Sequence, residues 1–320
     1  MSPSTTSTRP RVLLNRSAGS RVPLGSEDPT ATDIVALLHH VGIDAEVVET
    51  SSIDEARDLA REAARDLAPR LVVAGGDGTI GVVASQLIGT ETALGILPLG
   101  SVMNIPRMLG LPRDLAGAAT ILAKGTVRAI DVGFAGGEPF YETASVGMNA
   151  AVFSEASRLE EGERQSIVRT IWVALRYRPS RMRIELDDRV LRTRALTVTV
   201  SNGPYTGTGM TVAPEARLQD GRLDVRVFRR FSKFELLRHF ASIAFGRRRY
   251  APKVSTYRSA RIRISSVHPL PARADSRDLG TTPVEFHVQR RCLNVVVPPD
   301  GLPEPPAGEA GEGNAPGSRR

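Results

Sequence analysis

Leu71-Val72-Val73-Ala74-Gly75-Gly76-Asp77-Gly78-Thr79 is an apolar, β-branched run that ends in three glycines around one carboxylate. Such a run predicts a buried strand that delivers a tight turn to the carboxyl edge of a sheet, the edge at which open α/β sheets bind ligands. Glycine permits positive φ and close backbone approach. The N–H groups of the turn and of the next helix's first turn, Thr79 to Ser85, can cradle a phosphate. Asp77 cannot serve that phosphate itself, because two anions repel. It needs a cation such as Mg2+ between them, or it serves a different group. Gly76 to Gly81 also fits G-x-G-x-x-G, but that dinucleotide fingerprint wants an acidic residue about 20 residues on, at the end of the next strand. Here the strand Ala93 to Leu97 ends in Pro98-Leu99-Gly100-Ser101, so the ribose partner is missing.

The surrounding 320 residues, 41% apolar and 24% charged, describe a globular chain of a length that suits two domains. The net charge is +7 with a pI of about 10.1, yet the only lysines are Lys124, Lys233 and Lys253, so nearly all the positive charge is arginine. An Arg-rich soluble surface and attraction to anionic lipid head groups or nucleotides both account for it. Nucleic acid is disfavoured, because aromatic residues are 5% and no basic run is interleaved with them as stacking platforms would be. One cysteine, Cys292, excludes an intramolecular disulfide and fits a reducing compartment. The five histidines are scattered, with no metal-ligand spacing. No apolar run reaches the roughly 18 residues of a spanning helix and no signal-peptide core opens the chain, so a cytoplasmic protein is expected, with any membrane contact peripheral.

Along the chain, residues 1–9 have the composition of a disordered leader, and the Pro/Gly/Glu-rich segment 299–320 that of a disordered tail. Between them, residues 10–128 alternate strand and helix. Arg11 to Leu14 is a strand that ends at Asn15-Arg16-Ser17-Ala18-Gly19. Helical periodicity over Thr32 to Val41 precedes a strand at Ala45 to Glu49 closed by Thr50, and a second helix over Asp54 to Leu67 leads into the strand of the glycine turn. Helices over Ile80 to Ile88 and Leu115 to Leu122 flank Pro98 to Arg107, a second loop at the same sheet edge. This alternation predicts parallel pairing with right-handed crossovers. Residues 129–298 carry short alternating segments instead, at Ile130 to Phe134, Met182 to Leu186, Ala195 to Val200, Leu223 to Phe228, Ala260 to Ile264, Val284 to Val288 and Leu293 to Val297. The fold class expected is therefore α/β plus β: an N-terminal parallel-sheet nucleotide-binding domain followed by a β-rich, antiparallel, sandwich-like domain.

The glycine turn resembles the signature of the diacylglycerol kinase catalytic domain superfamily, bacterial lipid kinases related to sphingosine and ceramide kinases. NAD kinases and phosphofructokinases have a similar nucleotide turn, so the remaining motifs decide. Pro98-Leu99-Gly100-Ser101-Val102-Met103-Asn104-Ile105-Pro106-Arg107, followed by Leu109-Gly110-Leu111-Pro112, is similar to the lipid-kinase segment Pro-x-Gly-Thr-x-Asn-Asp-x-Ala-Arg, with Ser101 for Thr and Asn104 at the usual Asp. Ser201-Asn202-Gly203, Gly207-Thr208-Gly209, Ala213-Pro214-Glu215-Ala216 and Asp220-Gly221-Arg222-Leu223 resemble the family's Asn-Gly, Gly-x-Gly, Ala-Pro-x-Ala and Asp-Gly-x-Leu over some 25 residues. The resemblance spans about residues 10 to 298. No stretch resembles the Thr-Gly-Ser-Thr-Ala-Tyr of NAD kinases.

The resemblance implies an ATP-dependent kinase of a lipid alcohol that works with Mg2+ at the cleft between the domains; the sequence leaves the oligomeric state open, a homodimer included. It implies nucleotide contacts at Asn15, Gly19, Thr50, Gly75, Gly76, Asp77, Gly78, Thr79, Ser101 and Asn104, with Asp77 also catalytic. It further implies a structural Mg2+ at Asp220 with backbone carbonyls of Arg217 and Arg222, where a plain turn aspartate is the alternative. Asp275 stands at the family's late Asp-Gly-Glu element as the candidate general base. Ser276 and Arg277 replace the Gly and Glu, and Val82 stands where the family usually has a Glu. These two lost carboxylates open a second reading, a nucleotide- or lipid-binding protein on the same fold that no longer transfers phosphate. Ile167, Ile171, Trp172 and Leu175 amid Arg169, Arg176, Arg178, Arg181 and Arg183, with Arg247-Arg248-Arg249 further on, fit a membrane-facing stripe or a core-facing helix with a solvated rim.

Overall fold

A computed structural model describes residues 9–15, 29–151, 177–207, 209–229 and 254–304. Gly19, the part of the Trp172 stripe before Tyr177, Arg247 to Arg249, residues 1–8 of the leader and residues 305–320 of the tail lie outside the described residues. The first half alternates β1 (Arg11–Asn15), α1 (Ala31–His40), β2 (Glu46–Thr50), α2 (Ile53–Arg65), β3 (Arg70–Gly75), α3 (Asp77–Leu87), β4 (Ala93–Pro98), α4 (Asn104–Met108) and α5 (Leu115–Lys124). Three of its helices begin where a residue just before them satisfies a free N–H group with its side chain. Thr30 and Asp33 form a reciprocal capping box on α1, Ser52 accepts from Glu55 N–H on α2, and Asp114 accepts from Gly117 N–H on α5. The strands pair in parallel in the order β2-β1-β3-β4. β3 and β4 are buried almost throughout because helices cover both faces, which is why they read as unbroken apolar runs.

The second half is β5 (Thr126–Ala135), β6 (Glu138–Phe140), β7 (Thr143–Gly147), β8 (Ser180–Glu185), β9 (Val190–Ala195), β10 (Thr197–Ser201), β11 (Tyr205–Thr206), β12 (Met210–Thr211), β13 (Leu223–Phe228), β14 (Val254–Ser259), β15 (Arg261–Ser266), β16 (Pro271–Ala274), β17 (Arg277–Thr281) and β18 (Val284–Val297). An antiparallel sheet in the order β14-β13-β10-β7-β16-β17 packs on β18, β15, β8 and their neighbours. Phe140 and Phe286 meet edge to face at 6.3 Å in the core between them.

Two apolar segments near the C-terminus, expected as separate strands, form one long β18. Its register slips between Gln289 and Leu293, where Arg291 takes φ 45°. The bulge re-aims the strand, so that one end pairs with β15 and the other, at Val295, runs parallel to β4 at Leu94. β18 thereby joins the two halves into a ten-stranded sheet.

Candidate functional site

The glycine turn sits at the carboxyl end of β3. Leu99 N–H donates to the Gly75 carbonyl at 3.0 Å, and a Cβ on Gly100 would stand 2.9 Å from the Cα of Gly76, so the two loops lie backbone against backbone. Only glycine fits there. Gly76 caps α3 without a side-chain hydrogen bond, and the space beside Gly78 is open. No side chain therefore caps the first N–H groups of α3, the positive end of a helix dipole that favours negative charge. Thr79 is fixed from the neighbouring strand end, where Asn15 Nδ2 donates to Thr79 Oγ1 at 2.6 Å. Thr50, 1% exposed, donates its hydroxyl to the Leu14 carbonyl at 3.3 Å and closes β2 onto β1. Ser101 is exposed, and its carbonyl accepts from Arg113.

Asp77 has backbone partners on the second loop. Its Oδ2 accepts from Asn104 N–H and its Oδ1 from Ile105 N–H, both at 2.9 Å, so the carboxylate caps α4 and ties the second loop to the first. Burial raises its pKa, while the N–H groups of Ile105, Asn104 and Met103 pull the other way. Met103, just before α4, holds φ 58°, a conformation a non-glycine residue adopts only under such constraint. Asp77→Ala is expected to free this loop, lowering nucleotide affinity at least about tenfold and stability by about 1–3 kcal/mol. Calorimetric titration with ATP and a melting curve check it, and unchanged affinity in a folded variant overturns it.

From α4 the site crosses to the second half. Asn104 Nδ2 donates to the Gly207 carbonyl and to Glu142 Oε2, each at 2.8 Å. Arg107 donates to the Gly209 carbonyl at 3.2 Å and lies 3.8 Å over the Tyr205 ring. Asn104 is 1% exposed and its Oδ1 has no hydrogen-bond partner, a buried acceptor left over where the two halves meet.

Asp275 occupies the tight turn between β16 and β17 at φ 48°. Its Oδ2 accepts from Tyr141 N–H at 2.8 Å, and its Oδ1 from Glu142 N–H at 3.0 Å and Thr143 N–H at 3.1 Å. Burial nevertheless pushes it up to about 6, against those three N–H groups and the Arg277 charge. Arg277 reaches the Glu138 carboxylate at 3.2 Å.

Glu142, which the sequence reading missed, lies between the two aspartates. Burial and then the charges of Asp275 and Asp77 push it up to about 9, against the hydrogen bond from Asn104. A signal for it exists in the sequence: Glu142 is the only charged residue from Pro139 to Ser154, inside a run otherwise apolar or small.

The Asp220 turn stands apart from this cluster. Asp220 Oδ1 accepts from Arg222 N–H at 3.0 Å, and Gly221 N–H donates to the buried Asp131 at 2.6 Å. The other Asp131 oxygen accepts from Arg291 N–H at 2.8 Å. Among the described residues no group of three or more His, Cys, Asp or Glu side chains is placed to hold a metal, so a magnesium ion at Asp220 would draw on that one carboxylate together with backbone carbonyls and water. No helix among the described residues is long and apolar enough to cross a membrane.

Comparison with known proteins agrees with this arrangement. Residues 9–135 match the diacylglycerol kinase catalytic domain, and residues 142–297 match the YegS C-terminal NAD kinase beta sandwich-like domain. A probable lipid kinase YegS-like from Klebsiella pneumoniae is 27% identical over 86% of this chain and 94% of its own length. A diacylglycerol kinase from Bacillus subtilis is 24% identical over 91% and 96%. In fold, a solved diacylglycerol kinase structure from Bacillus anthracis superposes with a TM-score of 0.68 at 19% identity, over 92% of this chain and 98% of that one. Catalytic-domain and sandwich-domain matches in tandem, on a glycine turn joined through Asp77 and Asn104 to a carboxylate cluster, place this chain in the diacylglycerol kinase catalytic domain superfamily of lipid kinases.

Proposed function

We propose that the protein transfers the terminal phosphoryl group of ATP to the hydroxyl of diacylglycerol or a similar lipid alcohol at the cleft between its two halves. One observation carries the reading: the uncapped N-terminus of α3, open beside Gly78, is joined through Asp77 and Asn104 to the carboxylates Glu142 and Asp275. Phosphoryl transfer asks a protein mainly to hold donor and acceptor in line and to manage charge. The N–H groups of Gly78 and Thr79 bind phosphate oxygens, and Asn15 and Asp77 hold that turn and its neighbour in shape. ATP carries Mg2+ on its own phosphates.

With a pKa near 6, Asp275 is ionised at neutral pH and still basic enough to take the acceptor's proton. Glu142 stays protonated beside it, which keeps a third negative charge out of a site that receives phosphates. The non-catalytic reading rests on Val82 and Arg277, and the ion pair of Arg277 with Glu138 gives that arginine a partner outside the carboxylate cluster. Purified protein, labelled ATP, Mg2+ and a panel of lipid alcohols in mixed micelles are expected to yield a labelled lipid phosphate. Nucleotide binding with no transfer to any lipid favours the binding protein instead.

A further inference from the structure

β8 and β9 pair so that Arg181 stands opposite Arg194 and Arg183 opposite Arg192. Residues opposite one another share a face of the sheet, and so do residues two apart. All four arginines therefore form a square on one face, while Met182 and Ile184, 3% and 0% exposed, point into the core from the other. Like charges directly opposite in a ladder are destabilising, and here two such pairs are adjacent. Arg183 is offset by Glu185 at 3.0 Å, but Arg181, Arg192 and Arg194 have no ion-pair partner among the described residues.

The arginines line a depression of about 520 Å³ with Ser265, Ser266 and Val267. Val267 is 71% exposed, and Val190, on β9, is 49% exposed. Three cations without counter-charge, with the Ser265 hydroxyl and an uncovered apolar residue at the rim, complement a surface that is anionic on top and apolar beneath. A second copy of the chain would bring arginines against arginines, and nucleic acid would find no aromatic platform among these lining residues.

We infer that this arginine face on β8, β9 and the end of β15 docks the protein on anionic bilayers. The inference rests on the lipid-kinase reading for its choice of occupant. Each basic residue near such a surface contributes about fivefold in partition, so Arg192→Gln with Arg194→Gln is expected to weaken binding about 30-fold. Both residues are exposed and belong to no part of the cleft, and the substitution relieves like-charge opposition, so the variant is expected to fold.

Co-sedimentation with vesicles of 30% phosphatidylglycerol in phosphatidylcholine, and with phosphatidylcholine alone, reads the effect. The wild type is expected to bind the anionic vesicles, to lose them as NaCl is raised, and to leave the neutral ones. Absence of wild-type binding, equal binding to both vesicles, or full retention by a folded variant overturns the docking surface. So does tighter binding to a DNA fragment, or a dimer that the variant dissociates. Activity on diacylglycerol in non-ionic detergent micelles separates the two readings. The variant is expected to keep it, and if the wild type also lacks it while vesicle binding follows the arginines, the kinase reading fails and the docking surface stands.

Discussion

Asp275→Asn is expected to lower kcat by about 10²-fold or more while ATP affinity stays within a few-fold of wild type, the scale of a positioned base. The variant also has a structural cost, because three backbone N–H groups converge on the carboxylate and an amide offers them one acceptor where two stood. Leaving a buried donor unmatched costs about 1–3 kcal/mol, so a fall in melting temperature is expected as well. The pH profile separates the two effects. In the wild type, kcat/KM is expected to fall as pH drops through about 6, where the carboxylate takes up its proton. In Asp275→Asn that acid limb should vanish from the residual activity. If the limb persists and the rate loss merely follows the melting temperature, Asp275 is a turn-holder and the base lies elsewhere.

The α/β half was legible because its signals are local. Unbroken apolar strands, helical periodicity and Ser, Thr or Asp caps each act within a few residues, and Arg11 to Leu14 and Leu71 to Ala74 form strands as read. α3 begins three residues before the Ile80 start that the periodicity predicts. Glycines lower helix propensity, yet Asp77 and Gly78 are helical because Gly76 takes the cap position. In the second half, Thr143–Gly147 forms a strand that the alternation pattern does not predict. It is buried on both faces and lacks the alternation that marks a half-exposed strand. Strands β16 and β17 were equally faint, being short and broken by a turn. The joining of the halves by β18 follows from a bulge at Arg291, a backbone event that residue type does not announce.

At the site, the residues of the glycine turn could be named from sequence, but their partners could not. Asp77 and Asn104 are 27 positions apart, and Asn104 and Gly207 are 103 apart. Only the fold sets such pairs side by side. Glu142 illustrates the limit. As a residue type in a strand-like run it carries no catalytic pattern, and its chemistry comes from two aspartates that the chain delivers from far upstream and far downstream.

Glu142→Gln supplies the last test, because a glutamine has the shape of the protonated acid and still offers an acceptor to Asn104 Nδ2. Asp77 and Asp275 face the side chain as negative charges, and Arg277 is the nearby cation that acts on Asp275. In the folded wild type the Glu142 pKa is raised from 4.5 to about 9, so between those values the folded state holds a proton that the unfolded chain has released. Wild-type stability therefore falls as pH rises through that window. The glutamine variant removes this slope, and its melting temperature at pH 8.5 is expected to exceed that of wild type by roughly 5 °C, with little difference near pH 4.5. Activity should respond in step. In wild type, ionisation of Glu142 near pH 9 puts a third carboxylate charge against the incoming phosphates, giving kcat/KM an alkaline limb that Glu142→Gln is expected to abolish, with its neutral-pH rate preserved. Melting curves and pH–rate profiles of the two proteins, measured side by side, decide it. A variant that melts lower than wild type at pH 8.5, or keeps the alkaline limb, would show that Glu142 is ionised in the folded protein and that the cleft tolerates all three charges.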